Sequence, residues 1–420
     1  MMIVDSNVLL DYPQIIEERK DLLILTDVLK ELDGLKRSSN NETAFQARRA
    51  AVMISRNMDY IDFFGKLEKE NIPVDDKLIK VAGILDSTLV TNDVYLKVRA
   101  RAAGVDVIGY GVKDDYEGTT TIFLEADENE YSAVLDYILE NKSFPSDFYK
   151  KPLFENQYFI IKDSNSPYQT KNGETDYTVL AILVYKNKEL RMLSEKWDKK
   201  TIVNKWINKI TPKNPEQQCL FHALHNRDIS IIYAGGQFGT GKSFILNKFA
   251  IQELESEKIK KIVYVPNNAF TENTMELGAL PGELLEKTVG QIGPLIDLVG
   301  IDQVQDWIKT EQLEIVPMGF IRGRSFQDTI IIVNEAQNLT EDHIKLLIAR
   351  CGNGSRIFFD GDFKQADSAI FRNKNGLKLL LQLRKSPIYS KIFATVKMNT
   401  IERSLTAQAS AYLDSLSGGI

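Results

Sequence analysis

The stretch GGQFGTGKS, residues 235–243, is the strongest indication of fold in this 420-residue chain. It has the spacing G-x-x-x-x-G-K-S from Gly236 to Ser243, and it lies between the apolar run ISIIYA and the helical run FILNKFAIQEL. In that context the glycines let backbone N–H groups face phosphate oxygens at the start of a helix. Lys242 would reach the β and γ phosphates of a nucleotide, and Ser243 would bind Mg²⁺. The stretch therefore predicts a P-loop nucleotide site.

Apolar strand candidates surround this loop and alternate with helical stretches, which predicts a doubly wound α/β fold over residues 206–420. The candidates are ISIIYAGG, KIVYVP, EIVPMG, TIIIVNE and SRIFFDGD. A P-loop needs a second strand that brings acids to Mg²⁺ and to the attacking water. TIIIVNEAQN is the best candidate for that strand, and RIFFDGDFKQAD offers Asp360, Asp362 and Gln365 as groups that sense the γ phosphate.

Together these residues resemble the PhoH family of P-loop ATPases, which is related to superfamily 1 helicases. The resemblance covers roughly residues 206–410. Its motifs are NPEQ before the P-loop, LGALPGELLEK at 277–287, RGRSF at 322–326, EAQN at 335–338, GDFKQAD at 361–367 and ERS at 402–404. Arg322 and Arg324 would hold nucleic acid or close a subunit contact, or else form surface ion pairs.

The resemblance implies roles for the matching positions. Gln217 would read the adenine, Glu335 would polarise the attacking water, and Gln365 would sense the γ phosphate. Arg403 would be an arginine finger that reaches a neighbouring subunit. The residues that would hold the phosphates and the metal ion are Gly236, Gly239, Thr240, Gly241, Lys242 and Ser243.

The chain departs from the family pattern at two places. Asn334 stands where the family usually has Asp, and Val265-Pro266 stands where it usually has Arg-Pro. An asparagine can orient a metal-bound water but contributes no charge, so the affinity for Mg²⁺ should fall. Loss of ATP hydrolysis is therefore one alternative.

Asp360 offers a compensation for Asn334. In P-loop folds of this class, we expect the sensor strand RIFFD to lie between the P-loop strand and the strand that ends at Asn334. Asp360 would then project close to the Mg²⁺ position, where the family typically has an uncharged residue. We expect Asp360 to restore the missing metal-facing carboxylate.

Residues 1–112 also alternate short β-type runs with helical patterns, which predicts a parallel sheet with crossover helices. Four acids, Asp5, Glu31, Asp75 and Asp93, lie at or after the ends of these elements. Carboxyl ends of parallel strands converge on one crevice, so the acids could hold one or two Mg²⁺ or Mn²⁺ ions that orient a water toward a phosphodiester. Each acid alone is more often a helix cap or a surface charge, so the prediction rests on the set of four.

The runs VDSNVLL, LKELDGLK, the acid before KLIKVA, and LVTNDVYLKVRA together resemble a PIN domain, a nuclease fold, over about residues 1–110. Asp76 competes with Asp75 for the third acidic position, and Asp75 fits the family spacing to Leu78. A PIN domain ahead of a PhoH ATPase is a known arrangement.

Residues 113–205 predict a small α+β connector, with a helix ENEYSAVLDYILEN and strands that turn at Lys186 and Asn187. Seven basic residues against two acids, with Trp197 and Trp206 among them, fall within 191–213. This segment would contact nucleic acid, or it is a solvated helix whose tryptophans pack inward. The predicted domains are therefore 1–112, 113–205 and 206–420.

The formal net charge of −6 excludes nucleic-acid binding through bulk positive charge and leaves local basic patches. Only two cysteines are present, so a disulfide framework is not expected. The amino terminus, MMIVDSNVLLDYP, predicts no signal peptide and no membrane span. We expect a cytoplasmic protein, in a bacterial cell or a virus-infected host.

These features predict an ATP-dependent RNA-processing enzyme. A PhoH-like ATPase and RNA helicase would feed single-stranded RNA to a PIN-like endoribonuclease. The chain would use ATP and Mg²⁺, with Mn²⁺ as an alternative at the nuclease site, and would form a homo-oligomer such as a hexameric ring. Two alternatives are a nuclease gated by ATP binding with little hydrolysis, and a nucleotide-dependent RNA-binding or assembly protein without nuclease activity.

Overall fold

A computed structural model describes most of the chain and divides it into two compact units, Met1–Asp115 and Tyr116–Ile420. Each unit is described by itself. The described residues are 1–38, 41–65, 72–110, 118–125, 128–145, 148–170, 175–193, 197–203, 209–266, 292–363 and 375–402.

The first unit is built on a parallel sheet with the strand order β3-β2-β1-β4-β5. Its strands are β1 (Met2–Val4), β2 (Leu22–Leu25), β3 (Ile61–Phe64), β4 (Thr88–Val90) and β5 (Val107–Ile108). Its helices are α1 (Ser6–Asp11), α2 (Ile15–Glu18), α3 (Thr26–Leu35), α4 (Asn41–Arg56), α5 (Val74–Ile84) and α6 (Val94–Ala102).

Burial explains this arrangement. All four residues of β2 are buried, as expected for a strand that helices cover on both faces. Val28 and Leu32 of α3 and Leu78 and Val81 of α5 face the same apolar core. The predicted parallel sheet is confirmed, although the sequence did not indicate edge strand β3, because two of its four residues are exposed.

The second unit contains a six-stranded parallel sheet with the order β12-β11-β13-β14-β10-β15 in the part of the chain that is described. The strands are β10 (Ile231–Gly236), β11 (Lys261–Val265), β12 (Leu313–Ile315), β13 (Thr329–Val333), β14 (Arg356–Gly361) and β15 (Phe393–Met398). The helices around it are α8 (Pro215–His225), α9 (Lys242–Glu255), α10 (Gly293–Val299), α11 (Ile301–Lys309), α12 (Glu341–Ile348) and α13 (Gly376–Leu380).

Sensor strand β14 lies between P-loop strand β10 and strand β13, as predicted. Asp360 on β14 is in register with Ala234 on β10, and Phe359 is in register with Val333 on β13. The carboxyl ends of these three strands therefore meet at one edge of the sheet. Strand β15, on the other side of β10, was not predicted.

A separate four-stranded sheet has the order β6-β7-β8-β9. Its elements are β6 (Thr119–Leu124), α7 (Glu128–Asn141), β7 (Gln157–Gln169), β8 (Thr175–Lys186) and β9 (Glu189–Met192). The predicted helix is present, and the turn lies one residue later than predicted, at Asn187 and Lys188, which have φ of 55° and 64°. Tyr158 and Ile160 of β7 pack in the same hydrophobic core as Phe221 of α8.

The four-stranded sheet thus belongs to the same compact unit as the P-loop sheet. The division into three domains at residues 112 and 205 stays a prediction. No helix in the described ranges is long and apolar enough to cross a lipid bilayer.

Candidate functional site

The P-loop connects the end of β10 to the start of α9. Gly236, Gly239 and Gly241 have φ of 128°, 79° and 91°, a region that side chains other than glycine rarely adopt. Helix α9 begins at Lys242. The Lys242 Nζ donates to the carbonyl oxygens of Gly236 and Gln237, each at 2.6 Å. The backbone of the loop therefore surrounds the Lys242 ammonium group, and the helix starts directly after the loop.

A cavity of about 780 Å³ opens over this loop. Its polar lining includes Lys242, Ser243, Glu335, Asp360 and Asp362. Its apolar lining includes Ile210, Phe244, Ile245, Pro294 and Leu298. No sequence pattern predicted the apolar group, because its members come from separate elements.

Asp360 is buried at the phosphate end of the cavity, with 2% of its surface exposed. Its Oδ1 accepts the backbone N–H of Glu335 at 3.0 Å. Its Oδ2 is buried and forms no hydrogen bond of normal geometry with a described group. The Ser243 hydroxyl and the Lys242 charge nevertheless stabilise the ionised carboxyl. Burial raises the pKa of Asp360, and Ser243 and Lys242 partly oppose that shift.

Asn334 follows β13 and turns toward β11. Its amide nitrogen donates to the hydroxyl of Tyr264. Its Oδ1 is buried and accepts no hydrogen bond from the described groups. Burial raises the pKa of Tyr264, and the charges of Asp360 and Glu335 add to the rise. The Asn334 side chain is therefore hydrogen-bonded to Tyr264, and Asp360 is the carboxylate that interacts with Ser243.

Glu335 is exposed in the cavity, on a left-handed backbone with φ of 50°. Its Oε2 accepts the side-chain amide of Gln337 at 2.5 Å. The other end of that amide, Oε1, accepts the backbone N–H of Asp362 at 3.2 Å. Gln337 therefore connects the end of β13 to the end of β14 and holds the Glu335 carboxylate. This role was missed, because the motif EAQN does not show which groups its glutamine contacts.

Gln217 lies against the P-loop with 5% of its surface exposed. Its Nε2 donates to the Thr240 carbonyl at 3.1 Å, and its Oε1 accepts the backbone N–H of Lys213 at 2.8 Å. Both ends of the amide are thus engaged with backbone. Recognition of adenine by Gln217 stays a prediction, and it would require the amide to replace one of these backbone hydrogen bonds with a bond to the base.

Several predicted site residues lie outside the described residues. They are Gln365, Arg403 and the motif at 277–287. Of the two arginines of RGRSF, Arg324 makes two hydrogen bonds to Glu314, at 2.5 and 2.9 Å. The ion-pair interpretation therefore holds for Arg324.

The basic segment at 191–213 is described only in part. The Trp197 ring meets the His222 ring edge-on, with centroids 4.9 Å apart, so this tryptophan packs against α8. Trp206 lies outside the described ranges.

In the first unit, Asp5 is the most buried of the four predicted acids, with 5% of its surface exposed. Its Oδ2 accepts the Thr91 hydroxyl at 2.6 Å. The Thr91 hydroxyl also accepts the backbone N–H of Asp93 at 3.1 Å, so it links the ends of β1 and β4. Burial raises the pKa of Asp5, and the charges of Asp75 and Glu31 raise it further.

The other three acids make other contacts or stay at the surface. Asp75 pairs with Arg99 at 3.5 Å, Asp93 caps α6 through the N–H of Leu96 at 2.9 Å, and Glu31 is exposed on α3. Across the described ranges, no three acidic, histidine or cysteine side chains come close enough together to hold a metal ion. The four-acid metal site stays a prediction.

These features define the class of the protein: a P-loop nucleotide-binding domain preceded by a parallel α/β domain with carboxylates at its strand ends. The family comparisons are more specific. Residues 2–111 match the model of the PIN domain, and residues 209–412 match that of PhoH-like proteins. The chain is therefore a PIN domain joined to a PhoH-like domain, as the sequence motifs predicted.

Two relatives illustrate the extent of the likeness. Protein PhoH2 of Bacillus subtilis (strain 168) is 26% identical over 98% of this chain and 99% of its own length. A PhoH-like protein of the same organism is 30% identical over 45% of this chain and 59% of its own length. Among solved structures, the Pif1 helicase from Candida albicans is 19% identical and aligns with 50% of this chain and 44% of its own, with a TM-score of 0.26. That structural likeness carries no functional argument.

Proposed function

We propose that the chain is an ATP-dependent RNA-processing enzyme, in which a PhoH-like ATPase with RNA helicase activity serves a PIN-like endoribonuclease. One observation carries the ATPase half of this proposal. A single cavity contains the P-loop lysine, a buried carboxylate at Asp360 and an exposed carboxylate at Glu335. That set is what nucleotide hydrolysis requires of a P-loop site.

ATP fits the two ends of this cavity. The phosphates would lie on the P-loop, where backbone N–H groups and the start of α9 favour negative charge. The base would lie against apolar residues such as Pro294 and Leu298, which line the same cavity. Glu402 is held at the loop, because its backbone N–H donates to the Gly239 carbonyl at 2.9 Å.

The residues present also fit Mg²⁺. The buried Oδ2 of Asp360 meets hydrogen-bond geometry with no described group, and Ser243, which lines the same cavity, acts on the Asp360 carboxyl. A cation held by these two side chains would relieve the cost of burying the carboxylate. When bound, Mg²⁺ would neutralise charge on the phosphates. We therefore assign Asp360 the metal-facing role that Asn334 cannot fill.

Glu335 would act on the attacking water. Its carboxylate is exposed in the cavity and is held by the amide of Gln337. A carboxylate in that position can orient the water and accept its proton. Gln337 would act as a positioning residue, since its amide bonds to both the Glu335 carboxylate and the end of β14.

The nuclease half rests on the PIN domain and on Asp5. The buried Asp5 carboxylate has a raised pKa to which Asp75 and Glu31 contribute, so a cation there would relieve repulsion among the acids. Because the described acids do not form a compact metal cluster, we derive no catalytic step through a metal ion in this unit.

Coupling between the halves remains part of the proposal. RNA is the substrate that suits a nuclease domain joined to a helicase-related ATPase, and single-stranded RNA suits a translocating motor. A homo-oligomer, such as a hexameric ring, would let Arg403 act on a neighbouring subunit. Two free cysteines, Cys219 and Cys351, are compatible with the proposed cytoplasmic location.

A second candidate is a nuclease that ATP binding gates with little hydrolysis. The contact between Asn334 and Tyr264 favours it, because the residue at the usual metal-facing position is turned to a neighbouring strand. In this case Asp360 would still help to bind Mg²⁺, but turnover would be slow.

Two assays separate these candidates. ATP turnover with and without RNA, and metal-dependent cleavage of single-stranded RNA, should be measured on the wild type, Lys242→Ala and Asp5→Asn. We expect Lys242→Ala to abolish RNA-stimulated turnover and Asp5→Asn to abolish cleavage. Cleavage that survives Asp5→Asn would show that the nuclease assignment is wrong. Wild-type turnover no higher than that of Lys242→Ala would leave only the gating function.

A further inference from the structure

A second cavity, of about 590 Å³, lies between the turn that joins β8 to β9 and the segment that precedes β15. Residues 384–391 of this segment come before β15, so they lie at the amino end of the parallel sheet. The P-loop follows β10, which is parallel to β15, so the nucleotide cavity lies at the opposite end. A six-residue strand spans about 20 Å, so the two cavities are separate sites.

The second cavity is basic. Four cationic side chains line it, those of Lys188, Arg384, Lys385 and Lys391, against the single acid Glu155. Both carboxylate oxygens of Glu155 accept the backbone N–H of the turn residue Asn187, at 2.9 and 3.0 Å. In a chain with a formal net charge of −6, this is a local concentration of positive charge.

Arg384 is buried in the cavity wall, with 3% of its surface exposed. Its guanidinium lies over the Phe154 ring, 4.9 Å from the centroid, and its Nη1 donates to the Leu381 carbonyl at 2.6 Å. Burial lowers the pKa of Arg384 to about 10, so the side chain remains protonated at neutral pH. A buried cation at the wall of a basic cavity favours an anionic ligand.

The walls of the cavity are held together by Asn156. This residue is 1% exposed and has a φ of 60°. Its Nδ2 lies within hydrogen-bond distance of the carbonyls of Ser390, Lys391 and Phe393, at 3.0, 3.2 and 3.0 Å. Its backbone N–H donates to the Tyr185 carbonyl at 2.8 Å. The turn side and the β15 side of the cavity are thus fixed to each other, as a preformed site requires.

Two apolar residues that are adjacent in sequence to lining residues are exposed. Ile388 is 69% exposed and Tyr389 is 54% exposed, and both lie between the lining residues Pro387 and Ser390. Lysines that meet phosphates next to an exposed aromatic ring are the combination that single-stranded nucleic acids require, because every base can stack on an aromatic face. A small free anion would make no use of these two side chains.

We propose that this cavity binds backbone phosphates of single-stranded RNA, with bases stacked on Tyr389. The proposal rests on the proposed RNA-processing function and gives the ATPase unit an RNA contact at the sheet end away from the nucleotide. Lys188, Lys385 and Lys391 supply exposed charge, and Arg384 supplies a fixed one.

The test uses the full chain and a fluorescently labelled single-stranded oligoribonucleotide, with affinity measured by anisotropy at several salt concentrations. The test variant is Lys188→Glu with Lys391→Glu. The matched control is Lys260→Glu with Lys309→Glu, which makes the same charge change at exposed positions outside both cavities. The test variant should lose at least about tenfold in affinity. The slope of the logarithm of its binding constant against the logarithm of salt concentration should become shallower by roughly 1.4, which is about 0.7 for each of the two lost phosphate contacts. A third variant, Tyr389→Ala, should weaken binding without changing the salt dependence.

The outcomes distinguish the two proposals. If the wild type binds RNA and the test variant matches the control, the cavity assignment is overturned and the proposed function stands. If the wild type binds no RNA, both are overturned. Inorganic pyrophosphate should displace RNA from the wild type only at concentrations whose ionic strength also weakens RNA binding by the control variant. Protection against thermal unfolding by pyrophosphate that is present in the wild type and lost in the test variant, without any effect of RNA, would assign the cavity to a free anion instead.

Discussion

The two sites differ in how their acids are held. In the second unit, Asp360 and Glu335 are fixed by hydrogen bonds that join the ends of two adjacent strands. In the first unit, Asp5 alone is buried, whereas Asp75 pairs with an exposed arginine and Glu31 stays at the surface. The nucleotide site is therefore assembled by the fold itself. In the proposed nuclease site, Asp5 and Asp93 are held by hydrogen bonds, and Asp75 and Glu31 would have to be drawn in by a cation.

Asp360→Asn should cause the largest effect, and it tests whether the nucleotide site needs the Asp360 carboxylate. We expect ATP turnover to fall by about 10²-fold or more, as for removal of one preorganised electrostatic group.

The nucleotide-free Asp360→Asn protein should become more stable at neutral pH, since the raised pKa of Asp360 means that its charge costs folding free energy. That gain should shrink as pH falls through the folded-state pKa toward 3.8, where the wild-type carboxyl becomes neutral. Denaturant unfolding across pH measures it, and an unchanged turnover would count against the metal role.

Gln337→Ala tests whether Glu335 needs its support. We expect kcat to fall about tenfold, or roughly 1.4 kcal/mol, with KM for ATP nearly unchanged, because the amide holds Glu335 and not the nucleotide. Gln327→Ala, a change of the same type before β13, is the control. A rise in KM with kcat unchanged would instead place Gln337 in nucleotide binding.

Asp5→Asn sharpens the comparison from the other side. Because burial raises the pKa of Asp5, the variant should be more stable than the wild type at neutral pH, by about 1.4 kcal/mol for each unit of pKa that the fold adds. The difference should close as pH falls toward 3.8. Asp59→Asn, at an exposed position, should show little change. Equal stability of Asp5→Asn and wild type at all pH values would mean that Asp5 is not held as described.

Arg99→Ala should have the smallest effect. Arg99 pairs with Asp75 and Asp76 at the surface, where its side chain is 45% exposed, so stability should change by less than about 0.5 kcal/mol. Loss of the arginine would free Asp75 for a cation. We therefore expect Mn²⁺ to support RNA cleavage at a concentration a few-fold lower than in the wild type. A higher Mn²⁺ requirement would indicate that Arg99 itself contacts the RNA.

The sequence was informative where spacing reflects local chemistry. The P-loop from Gly236 to Ser243 could be recognised because its glycines, lysine and serine each have one task within a single turn. The position of β14 between β10 and β13 followed from the fold class, and with it the approach of Asp360 to Ser243.

Long-range contacts could not be read in this way. Gln337, Thr91 and Asn156 each link elements that are distant in sequence. Gln337 and Thr91 lie within the motifs EAQN and LVTNDVYLKVRA, but a motif does not show which distant groups its side chains contact. The partner of Asp75 was equally hidden, because an exposed arginine can reach several acids. The turn of Asn334 toward Tyr264 depends on which strands are neighbours, and that is a property of the folded sheet.

The central claim is that Asp360 carries the metal-facing charge that Asn334 lacks. The most direct measurement is the affinity for Mn²⁺ in the presence of ADP, read by electron paramagnetic resonance, on the wild type, Asp360→Asn and the exchange variant Asn334→Asp with Asp360→Asn. We predict that Asp360→Asn loses at least about tenfold in Mn²⁺ affinity and that the exchange variant regains most of it, because it returns one carboxylate to the site. Wild-type Mn²⁺ affinity in Asp360→Asn would contradict the claim.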